Sequence, residues 1–153
     1  MDRLRISSKT WVLVCDGSKA LLFQNLGDAQ ALNLKALEVF VEPHPPARDL
    51  GTDRPGRTHE SMGVSRSSVQ DTDRHQQAED RFLHEVSRNI GELVRSATIK
   101  ALVVAAPPKA LGVLRTCMTP ATRAVVLAEI AKDMVKLPTR EIEQHLSAMG
   151  ELN

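Results

Sequence analysis

The sequence has no tyrosine, and its aromatic side chains are Trp11, Phe23, Phe40 and Phe82. So few rings argue against a protein that grips single-stranded nucleic acid by stacking exposed aromatics on bases. An excess of one charge is lacking too, because the formal net charge is only +1. No global field draws the chain to nucleic acid or acidic lipid, so any electrostatic partner must be read by a local patch. Cysteine is limited to Cys15 and Cys117. Two thiols so far apart make no disulfide framework, and they read as buried or half-buried thiols in a reducing compartment. No apolar run approaches the ~20 residues of a membrane span. The opening MDRLRISSKTW lacks the apolar stretch of a signal peptide. Together these absences predict a soluble, cytoplasmic protein with no membrane span.

What is present suits a globular domain. An apolar share of 42% with 25% charged residues is ordinary, and 153 residues suffice for one domain, 1–153, with a sizeable core. Trp11–Cys15 is a short apolar run rich in valine, the pattern of a central strand buried on both faces. Asp16-Gly17 then precedes a second apolar run, Ala20–Phe23. An Asp-Gly step between two such runs predicts a hairpin, because glycine accepts positive φ. Leu32, Leu34, Leu37, Val39 and Val41 predict a third strand, whose alternation changes phase at Ala36-Leu37 and marks a bulge.

Residues 43–70, PHPPARDLGTDRPGRTHESMGVSRSSVQ, hold four of the eight prolines and no apolar periodicity. An excursion of this length inside a small domain reads as a functional or disordered loop. Beyond it, Ser68 and Asp71 offer capping oxygens for a helix. Ala78, Phe82, Val86, Ile90, Leu93, Val94 and Ala97 then keep a helical stripe. Lys100–Ala106 predicts a strand closed by Pro107-Pro108, and those prolines open a brief helix, Lys109–Cys117, that Thr119-Pro120 breaks. Ala124–Ala131 fits strand or helix by pattern, and length favours a strand at Val125-Val126-Leu127. Pro138 and Thr139 open a last helix through Met149. An antiparallel meander followed by βα units predicts an α/β fold with a mixed five-stranded sheet, ribonuclease H-like, in the order 3-2-1-4-5 with flanking helices.

Candidate chemistry is sparse. Asp16 ends the first strand, where a ribonuclease H-like nuclease holds a carboxylate, and Glu38 and Asp73 are possible companions for a metal pair. The competing reading is an ordinary turn aspartate. Glu79, Glu85 and Glu92 read as a solvated helix face. The five histidines, His44, His59, His75, His84 and His145, make no metal-ligand spacing, and Gly51-x-x-x-x-Gly56 is followed by Arg57-Thr58 rather than a phosphate-loop lysine. No metal or cofactor is expected. The loop itself carries Arg48, Arg54, Arg57, His59 and Arg66, with Gln70 at its end. They make either a solvated, self-paired segment or an arm that contacts phosphates.

The run Trp-Val-Leu-Val-Cys-Asp-Gly-Ser-Lys-Ala-Leu-Leu-Phe at 11–23 resembles the opening of the bacterial host-attachment protein family. Gly56-Arg57, Ser61, the helix 76–86 with Phe82-Leu83, the stretch 105–114, and Ala131-Lys132-Asp133-Met134-Val135 resemble it as well. That family is similar to the central domain of archaeal and eukaryotic class-1 peptide release factors, which carries a Gly-Gly-Gln loop ahead of a long helix. The resemblance implies a release-factor-like fold. It also implies a binding role toward the ribosome, transfer RNA or a translation protein, through Arg48, Arg54, Arg57, His59, Arg66 and Gln70. This chain has no Gly-Gly-Gln, Gly63 and Gln70 being nearest, so the expectation leans to a non-catalytic protein. A metal-dependent nuclease using Asp16 and an oligomeric interaction module are the alternatives.

Overall fold

The fold is described from a computed structural model over residues 5–41 and 64–152, with backbone alone at 64–72 and 150–152. β1 (Trp11–Cys15) is buried at every residue, as a continuous apolar run requires. β2 (Lys19–Asn25) pairs antiparallel with it, and β3 (Leu34–Val41) pairs antiparallel with β2. The bulge expected near Ala36-Leu37 is present: Phe23 faces Ala36 and Leu22 faces Glu38, so Leu37 is the extra residue. β4 (Leu102–Ala106) and β5 (Val126–Ala131) lie parallel to β1 on its other side. The order β3-β2-β1-β4-β5 is the one predicted.

The helices are α1 (Val64–Arg95), α2 (Pro108–Cys117), α3 (Pro120–Val125) and α4 (Thr139–Leu152). Alternation along β1 feeds two cores. Trp11, Leu13 and Cys15 meet Phe82, Leu83, Val86 and Ile90 of α1 and Leu111 and Leu114 of α2. Val12 and Val14 meet Met134, Val135, and Ile142 and Leu146 of α4.

Four expectations are corrected. The helix α1 begins at Val64, not at Ser68–Asp71, so residues 64–70 of the expected loop are helical. Once a long helix is nucleated, each added residue gains a hydrogen bond, and no proline or glycine interrupts the chain between Gly63 and Gln70. The fifth strand starts later and runs longer than Val125–Leu127, and the break at Thr119-Pro120 is also a start. Thr119 Oγ1 accepts the Thr122 N–H at 3.1 Å and Pro120 occupies the first turn of α3. The β1–β2 hairpin forms, but no described glycine has positive φ, so conformational freedom is not what Gly17 supplies.

The stripe residue Ala97 lies past the end of α1 with φ at 63°. Its N–H bonds the Val94 carbonyl at 3.0 Å, and the Thr98 N–H bonds the Leu93 carbonyl at 2.9 Å. This is a left-handed helix cap, where glycine is the usual residue because a Cβ is strained there. Ala97 is exposed and contributes no core packing. Ala97→Gly is expected to stabilise the protein by about 1 kcal/mol and to raise the thermal midpoint in a melting experiment.

Candidate functional site

The carboxyl ends of β1 and β4 open into a cleft of about 280 Å³, lined by Asp16, Gly17, Ser18, Gln76, Glu79, Leu83, Pro107, Lys109, Ala110 and Val113. Topology puts it there. The chain leaves β1 toward β2 and β3, then returns through α1 to β4 on the opposite side of β1. In open α/β sheets such a reversal leaves a crevice beyond the carboxyl ends of the parallel strands.

Asp16 holds one wall of the cleft. Its Oδ1 accepts the Ser18 N–H at 2.9 Å, the Lys19 N–H at 2.8 Å and the Ser18 hydroxyl at 3.3 Å, and its own N–H bonds the Lys19 carbonyl. These contacts close the Gly17-Ser18 turn, as the ordinary turn reading expects. Glu79 of α1 lies over the turn: a Cβ built on Gly17 would stand 2.6 Å from Glu79 Cδ. Gly17 therefore supplies space for that carboxylate arm. Gln76 donates to Asp80 Oδ1 at 2.9 Å. The opposite wall is the start of α2, where Lys109 follows Pro107 and Pro108 and brings a cationic side chain to the lining.

Beneath the turn, Cys15 is no nucleophile. Burial, then the Asp16 and Asp133 carboxylates, push its thiol up to about 12. A thiol so shifted is neutral at neutral pH and a poor nucleophile. Cys117, partly exposed on α2, is also raised, chiefly by desolvation.

The carboxylates proposed for a metal pair are not gathered. Glu38 stands exposed on β3 opposite Leu22, and Asp73 is exposed on α1. Among the described residues no group of three or more His, Cys, Asp or Glu side chains is placed to hold a metal ion. Of the proposed contact residues, Arg48, Arg54, Arg57 and His59 lie outside the described residues, and so does His44. Arg66 and Gln70 belong to the first two turns of α1, which corrects their placement in a loop.

Glu79 and Lys109 were not singled out by sequence reasoning as cleft residues. Glu79 had been read with Glu85 and Glu92 as solvated, yet it is half-buried. A signal existed, since Glu79 precedes Phe82, Leu83 and Val86 by three, four and seven residues and so shares their inward face. For Lys109 the signal was its place directly after a buried parallel strand and two prolines.

Among the described residues no helix is long and apolar enough to cross a membrane. No curated protein matches the chain. The family described as "protein required for attachment to host cells" matches residues 11–146, from the first residue of β1 into α4. That match spans the sheet, the cleft and both cores, and the chain belongs to this host-attachment family.

Proposed function

We propose that this host-attachment protein is a non-catalytic, cytoplasmic binding protein with a ribosome-, RNA- or translation-associated role, and that its effect on attachment to host cells is indirect. The domain is taken to be ribonuclease H-like, in the manner of the central domain of class-1 release factors. The observation that carries the reading is the state of Asp16. The aspartate at the carboxyl end of β1 uses Oδ1 to close its own turn, with no cluster of metal ligands gathered around it among the described residues. A two-metal nuclease needs that carboxylate and its neighbours converging on the ions.

One further feature supports an anionic partner. Arg74, Arg81, Arg88 and Arg95 recur every seven residues along α1, and all four are exposed. Seven residues advance a helix by about 10 Å, so the guanidiniums form a line suited to a phosphate backbone. Glu85 offsets part of this charge through its ion pair with Arg88 at 2.5 Å. Arg48, Arg54, Arg57, His59, Arg66 and Gln70 are the other proposed contacts.

A pulldown of the whole chain from a bacterial lysate at low salt tests the role without assuming a substrate. The expected capture contains ribosomal RNA, transfer RNA or translation proteins, and washes off with salt as phosphate contacts do. Capture with none of these components overturns the assignment.

A further inference from the structure

β3 is an edge strand and, at eight residues, the longest in the sheet. Leu37, Val39 and Val41 are 43%, 54% and 62% exposed on it, three of the five large apolar side chains that stand exposed among the described residues. A long apolar edge is a template for another strand, and natural sheets usually blunt such edges. We propose that β3 pairs antiparallel with β3 of a second copy of this chain, about a two-fold axis between Ala36 and Leu37.

The bulge sets this register. The Asn25 N–H bonds the Thr10 carbonyl, so Asn25 turns toward β1 and the alternate residues Gln24, Leu22 and Ala20 turn toward β3. Their partners Lys35, Glu38 and Phe40 point their backbone groups back at β2. Leu34 and Ala36 before the bulge, and Val39 and Val41 after it, direct theirs outward. The Leu34 N–H does so visibly, reaching Glu143 Oε2 at 2.7 Å instead of β2.

Rotation about the proposed axis brings outward residues together. Val39 meets Leu34 of the second copy, donates its N–H to that carbonyl, and its own carbonyl takes the Leu34 N–H in place of Glu143. Lys35 meets Glu38 of the second copy. These charges share one face of the sheet despite their odd spacing, because Lys35 pairs with Gln24 and Glu38 with Leu22 across the bulge. The two-fold therefore makes two Lys35–Glu38 contacts on one face. On the other face it brings Val39 beside Leu34, which is already buried in the second core, and Val41 beside the half-buried Leu32, of the second copy. Lys35 and Glu38 are the strand's only charges, so β3 is complementary in charge to its own inverted copy.

The test is mass in solution, by light scattering or sedimentation. An edge ladder buries less than a standard interface, so the whole chain is expected to dimerise over about 10–100 μM. Lys35→Glu and Glu38→Lys each place like charges opposite one another and should give monomers. The double reversal restores opposite charges and should restore the dimer. Both positions are exposed, and circular dichroism checks that each variant is folded. A monomeric wild type across that range overturns the proposal. So does a single reversal that stays dimeric, or a double reversal that stays monomeric.

Discussion

Asn25→Ala should cost about 4 kcal/mol of folding stability, a large share of what a domain of this size has. Asn25 is fully buried at the end of β2. Its Nδ2 donates to the carbonyls of Ile6 at 2.8 Å, Ser7 at 3.2 Å and Asp28 at 3.3 Å. Its Oδ1 accepts the N–H groups of Gly27 at 3.0 Å and Asn33 at 2.9 Å. One side chain thus ties the segment before β1 to the β2–β3 connection. Alanine leaves several backbone groups without partners and opens a hole among them, and each orphaned group costs on the order of 1–3 kcal/mol, not additively. Urea titration measures this. A loss below about 1 kcal/mol would mean that water replaces the network, contrary to the account.

The second large effect is expected at Gly27, two residues on. A Cβ there would lie 2.1 Å from the Ala31 carbonyl oxygen and 3.1 Å from the Asn33 nitrogen. Both obstacles are backbone. They are fixed by the Leu26 N–H to the Asn33 carbonyl at 2.9 Å, and by Asp28 Oδ1 accepting from Gln30 and Ala31. Gly27→Ala must therefore open the connection, at about 2–3 kcal/mol. Two other glycines serve as controls in the same urea series. Gly17→Ala meets only the movable end of Glu79, and Gly112 has nothing within 4 Å and sits inside α2. The first should change stability little. The second should raise it by about 1 kcal/mol, the helix propensity difference. If Gly27→Ala falls in line with these controls, the loop is not held as described.

The sheet was legible in the sequence because its signals are redundant. The apolar runs Trp11–Cys15 and Lys100–Ala106 read as strands, and the strands that form there, Trp11–Cys15 and Leu102–Ala106, are buried at every residue. The phase change at Ala36-Leu37 read as a bulge and is one. What failed were boundaries and reasons. Capping residues mark where a helix can start, not where it must, and α1 runs back past Ser68 to Val64. Thr119-Pro120 carries stop and start signals together, and only packing shows that both are used. Gly17 was read for its backbone freedom, whereas the room it leaves for Glu79 is a tertiary fact. The cleft was least legible, because Asp16, Glu79 and Lys109 come from three elements that only the crossover brings together.

The central claim, binding without cleavage, meets its most direct test in one gel. Labelled ribosomal RNA is incubated at low salt with magnesium or manganese, and with the wild-type chain or Asp16→Asn. Asparagine keeps the Oδ1 that accepts from Ser18 and Lys19, so the turn survives the substitution. The account predicts RNA that is shifted equally by both proteins and remains full-length in both lanes. RNA cut by the wild type and spared by Asp16→Asn would contradict it and make Asp16 a catalytic carboxylate.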